Sequence, residues 1–143
     1  VLVFGVAHNT PPVPFILTRK DFDTPLGAVP TDLEAVDRLA AACAWDPFEH
    51  ELVHRTEHSI EFHAVMLRHL YGADVRMIPV LCGHFEAYGP PAASAAIGAF
   101  LDACKALVDE RPGEIAVIAS ADLSHMGRRF GDDYDIDDAI VTG

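Results

Sequence analysis

The chain has 143 residues, half of them hydrophobic, with 10 Lys and Arg against 22 Asp and Glu and a formal net charge of −12. This is the size of one domain with a sizeable core, too apolar to stay disordered, and its negative field, with no Lys/Arg stripe to offset it, disfavours nucleic acid as a partner. No apolar run reaches the roughly eighteen residues of a membrane span, and 3 cysteines at irregular spacing without a C-x-x-C pair disfavour a disulfide framework or thiolate zinc site and fit a reducing cytoplasm.

Residues 1–7 (VLVFGVA) form a short β-branched apolar run, as in a strand buried on both faces. The run lacks the basic start and small-residue cleavage pattern of a signal peptide. Residues 8–30, with 5 prolines, read as a long loop. Thr31 and Glu34 match a capping box, and Leu33, Val36, Leu39 and Ala40 recur at helical spacing, predicting a helix to about Ala44. A second helix is predicted from about Thr56 to Tyr71, with Ile60, Ala64, Leu67 and Leu70 on one face and Gly72 as its stop.

Residues 75–82 (VRMIPVLC) read as a strand in which Pro79 marks an irregularity or an edge. A third helix is predicted from Pro91 to Glu110, closed by Arg111, Pro112 and Gly113. Residues 114–121 (EIAVIASA) give the clearest strand. Residues 131–138 (GDDYDIDD) read as a solvated acidic loop, and the closing DAIVTG reads as the start of a further helix. Alternating strands and helices predict a single α/β domain over 1–143 with a mostly parallel sheet. The abrupt ends suggest a stretch of a longer protein.

In parallel α/β sheets, ligands bind beyond the carboxyl ends of the strands. The residues following the three predicted strands are His8 and Asn9, then Gly83 and His84, then Asp122, Ser124 and His125. A lone loop histidine is usually solvated, but here each strand ends near one. The segment EHSIEFH at 57–63 is denser still: His58 and Glu61 share a helix face, and Glu57 or Glu61 could orient a ring or accept a proton. An ordinary helix start is an equally good reading of those residues taken alone. His50, His54 and His58 fall at four-residue intervals, but Pro47 and the helix start leave their register doubtful. His63 and His69 read as packing or surface residues, and Cys82 as either a soft ligand or, more commonly, an inert thiol. Ser124 lacks the G-x-S-x-G elbow of a nucleophile, so Asp122 and His125 make better sense as an acid/base pair. Arg128 and Arg129 could hold an anionic substrate group.

These elements in this order resemble the Memo family, the B component of the AmmeMemoRadiSam gene set. The matching stretches are GVAHN at 5–9, TPLGAVPTD at 24–32, EHSIEFH at 57–63, IPVLCG at 78–83 and SADLSHMG at 120–127. The resemblance implies a three-layer LigB-like α/β fold, shared with class III extradiol dioxygenases, in which a mostly parallel or mixed central sheet is flanked by helices. It implies His8 and His58 as ligands of a divalent metal, most readily Fe(II) with copper as an alternative, and His125 as the acid/base histidine with Asp122 beside it. The family's third ligand, a cysteine nearer the C-terminus, lies outside these residues. Asn9, Glu61, His84 and Arg128 are the candidate substrate contacts. GVAHN lacks the proline often found before the first histidine, and EFHAVML departs from the usual continuation; neither touches a proposed ligand.

Two functions follow as expectations. The first is a non-haem iron or copper redox protein in which His125 moves protons; a thiolate in place of the dioxygenase carboxylate argues against inheriting ring cleavage from the fold. The second is a non-catalytic peptide-binding or signalling scaffold using the same cleft, as animal relatives suggest. Partnership with other AmmeMemoRadiSam proteins rests on gene association alone.

Overall fold

The computed structural model describes residues 1–122 and 125–137. Ser124, Asp138 and the helix expected at the end of the chain lie outside the described residues. The elements in chain order are β1 (Leu2–Val6), β2 (Phe15–Leu17), α1 (Leu33–Ala40), α2 (His58–Tyr71), β3 (Ile78–Cys82), α3 (Ala95–Glu110) and β4 (Val117–Ala119), with short 3₁₀ turns between them. The strands form one sheet in the order β2-β3-β1-β4; β1 runs parallel to both β3 and β4, while β2 is antiparallel to β3. The fold is therefore α/β with a mixed, mostly parallel sheet.

Helices cover both faces. On one, Ala35, Val36 and Leu39 of α1 and Ile97, Phe100 and Leu107 of α3 pack on Leu2, Phe15, Ile78 and Val80. On the other, Ile60, Ala64 and Leu67 of α2 pack on Val3, Ile16, Met77 and Leu81. Successive residues of β1 and β3 thus bury alternately against the two layers, which explains their continuous apolar runs. No described helix is long and apolar enough to cross a membrane.

Several expectations are corrected. The proline-rich loop contains β2, whose three buried residues are too short a run to stand out among Pro11, Pro12 and Pro14. The cap of α1 is Asp32, whose Oδ1 accepts from the Ala35 amide at 3.1 Å, while Thr31 is turned to Lys20 and Asp21. α1 ends at Ala40, four residues short of the expected stop. α3 starts behind Ser94, which caps it, and Pro91 opens a separate 3₁₀ turn. Leu70 is exposed rather than part of the buried face of α2.

Pro79 lies in an interior strand, not at an edge. The Ile78 amide donates to Val1 O on the β1 side, so position 79 faces β2, and β2 pairs no further than Leu17↔Val80. The missing proline N–H therefore costs no ladder bond. β4 is shorter than its apolar run suggested and is exposed at Val117 and Ala119.

Candidate metal centre

The site grows from the carboxyl end of β1 and the first residue of α2. Gly5 allows the helix to come this close: a Cβ there would lie 2.5 Å from Ser59 Oγ and 2.7 Å from Ile60 Cγ1. The Ser59 hydroxyl donates to Val6 O at 2.9 Å, fixing the start of α2 to the end of β1. The chain turns after Ala7, closed by a Thr10 N–H to Ala7 O bond of 2.9 Å, with Thr10 held at φ 44°, a left-handed conformation unusual for a branched residue. This turn carries His8 back over the helix start.

The rings of His8 and His58 consequently stack, 4.9 Å between centroids and 19° from parallel. Glu57, the N-cap of α2, is buried beneath them and accepts from the Ser59 amide at 3.1 Å. Its Oε2 also accepts from the His8 amide at 2.9 Å, and the His8 ring Nδ1 lies 2.9 and 3.0 Å from its two oxygens. His58 Nδ1 is 3.4 Å from Oε1. Burial works to raise the Glu57 pKa, but these hydrogen bonds and the nearby His8 outweigh it and hold the carboxyl below its ordinary value. Ligand atoms of His8, Glu57 and His58 all lie within 4.8 Å of one another, so the group could hold a metal ion. Imidazole nitrogens and a carboxylate are donors that non-haem iron, copper and zinc all accept, and the set does not choose among them.

The two histidines open onto a cleft of about 320 Å³, whose walls include Phe62, His63, Ser120 and Asp122. Asp122, just past β4, has Oδ2 3.4 Å from His125 Nε2, and the His125 ring stacks on Phe130 at 4.7 Å between centroids. His63 was read from the sequence as packing or surface. Its helical offset of five from His58 is no same-face signal, yet it lines the same cleft as His8, Ser120 and Asp122.

The other candidates fall elsewhere. Glu61 lines a separate cavity of about 330 Å³ with Lys20, Asp21 and His54. His84 is half-exposed, 4.0 Å from Glu86, and neither it nor Asn9 is among the described residues lining the histidine cleft. Arg128 pairs with Asp135 at 3.0 Å. Cys82 belongs to the core, where burial pushes its thiol up to about 11; Cys43 and Cys104 are likewise pushed by burial to about 12. All three are inert thiols at neutral pH. The four-residue histidine spacing gives no ladder, because 51–55 is a 3₁₀ turn, separate from α2, in which His54 is buried.

The profile of the Memo-like protein family matches residues 1–141. Among curated relatives, the chain is 33% identical to a MEMO1 family protein of Aquifex aeolicus over 96% of its own length and 34% of that protein's. It is 32% identical to a MEMO1 family protein of Methanococcoides burtonii, covering 87% of this chain and 43% of the relative. A MEMO1 family protein of Thermus thermophilus is 30% identical over 92% of this chain and 36% of the relative. The chain thus spans well under half the length of these relatives. No solved structure matches it significantly.

Proposed function

This chain belongs to the Memo-like protein family, and from that premise we propose that it is a metal-binding redox protein in which His8 and His58 hold a non-haem iron, with copper as the second candidate. The observation that carries this reading is the stacked pair of imidazoles, 4.9 Å apart, facing a cleft large enough for a small ligand. Two imidazoles in an accessible cleft leave positions for substrate, as open catalytic sites require and closed structural sites do not. The metal would supply redox chemistry there.

The chain's own residues supply the rest. Asp122 lines the cleft with His125 Nε2 3.4 Å behind its Oδ2, and the two serve as an acid/base pair in which a proton passes between ligand and ring by way of the carboxylate. Phe62 offers an apolar wall and Ser120 a hydroxyl for orienting that ligand, a small molecule or a peptide side chain.

The test is elemental analysis of the full-length protein, purified anaerobically, beside the His8→Ala/His58→Ala double variant. About one iron or copper per chain, absent from the variant, is the expected result. Metal in neither sample would sink the proposal and turn attention to peptide binding by the same cleft.

A further inference from the structure

Among the groups that could contact a metal, Glu57 is the one whose position does not suit the role of ligand. Its side chain is only 3% exposed, against 49% for His8 and 59% for His58. Its oxygens already receive the His8 amide, the Ser59 amide and the His8 ring, and the His58 ring stands 3.4 Å from one of them. A carboxylate offers about four lone-pair directions, so little remains for a cation. A ligand role would also set the metal in competition with the His8 ring, which lies 2.9 and 3.0 Å from the two oxygens.

The same geometry specifies the rings. An ionised carboxylate only accepts, so a ring nitrogen 2.9 Å from it carries the proton. A neutral imidazole protonated at Nδ1 has its lone pair at Nε2, the atom it then offers to a metal. Carboxylates behind ligating histidines commonly fix tautomer and ring orientation in this way. Here one buried carboxylate reaches the Nδ1 side of two histidines that are 50 positions apart in the chain, because it caps the helix that carries the second.

We propose that Glu57 is a positioning residue rather than a metal ligand: it holds His8 in the Nδ1–H tautomer, biases His58 the same way, and so makes Nε2 of each ring the metal-binding atom. The metal half of this inference rests on the function proposed above; the tautomer half does not.

The experiment separates them. Two-bond ¹H–¹⁵N correlation spectra of the metal-free protein at neutral pH read the tautomer of each histidine, with His8→Gln and His58→Gln providing assignments. The expected result is His8 protonated at Nδ1 in the unaltered protein, and a mixed or Nε2–H population in Glu57→Gln, whose amide can donate as well as accept. Anaerobic competition titration with Fe(II) should then show affinity lowered roughly 10- to 100-fold in Glu57→Gln with stoichiometry retained. An Nε2–H His8 in the unaltered protein overturns the inference, and that measurement needs no variant to fold. A carboxylate in the iron's X-ray absorption shell that vanishes in Glu57→Gln also overturns it. If the unaltered protein takes up no iron while His8 stays Nδ1–H and Glu57→Gln shifts it, the metal reading fails and the positioning of His8 by Glu57 stands.

Discussion

His54 and Ile16 are joined through the interior: the buried His54 ring uses Nε2 to donate to the Ile16 carbonyl at 3.1 Å, leaving Nδ1 buried with no hydrogen-bond partner. With Nε2 as donor, Nδ1 is a bare acceptor, and protonating it would bury a cation with no hydrogen-bond partner for its new proton.

That arrangement predicts acid sensitivity. Burial outweighs the Ile16 hydrogen bond and the nearby Glu51 and Glu57, lowering the His54 pKa from 6.5 to about 4. The unfolded chain therefore binds the extra proton first. The stabilising effect of a neutral His54 is complete above pH 6.5 and is lost as pH falls from there to about 4, by about 3 kcal/mol in all. Urea unfolding at pH 7.5 and pH 4.5 should show this loss in the unaltered protein and a flatter profile in His54→Gln. Equal slopes in the two proteins would refute it.

Gly5→Ala should lower both stability and metal affinity. The added methyl meets Ser59 Oγ and Ile60 Cγ1 well inside contact distance, and Leu81 Cδ2 at 3.2 Å, so the start of α2 must retreat from β1. Overpacking of this kind costs about 1–3 kcal/mol, and His58 moves with the helix. Thermal melts and Fe(II) titration of the same preparation check both effects; unchanged affinity would mean that the site does not depend on this close approach.

His125→Ala should keep its metal while losing turnover with any substrate found. His125 stands behind Asp122 and on Phe130 rather than with His8 and His58. Metal content and activity are measured side by side, and metal loss matching that of His58→Ala would make His125 a ligand.

Phe100→Ala should destabilise without touching the site. Phe100 is fully buried and stacks on Phe15 at 4.4 Å between centroids, on the sheet face opposite α2. The expected cost is about 3–5 kcal/mol by urea midpoint, with metal stoichiometry unchanged below the melting temperature. A parallel loss of metal would couple the two layers more tightly than the packing suggests.

The alternation of strands and helices was legible in the sequence, because apolar periodicities and strand ends are properties of neighbouring residues, whereas the meeting of His8 with His58 was implied only by the family resemblance. The role of Glu57 over Glu61 was legible in neither. With the helix start placed at Thr56, both carboxylates fell inside it; a start at His58 instead turns Glu57 into an inward cap and leaves Glu61 one turn on, against another cavity. His84 stands apart from the histidine cleft for a longer-range reason. Gly83 N–H donates to Pro14 O and His84 N–H to Pro11 O, so the approach to β2 fills the space beyond β3. An antiparallel strand three residues long, directly after Pro14, thus sets His84 apart from the described residues that line the cleft.

The two margins of the sheet are unlike. Along β2, the Trp45 indole donates to Phe15 O and the Leu17 amide donates to Pro47 O, so outward-facing backbone groups of that strand are already spoken for. β4 has β1 on one side, and its Val117 is 53% exposed. Among the described residues, the backbone beyond β2 is therefore a closed seam, while the far side of β4 has no strand paired to it.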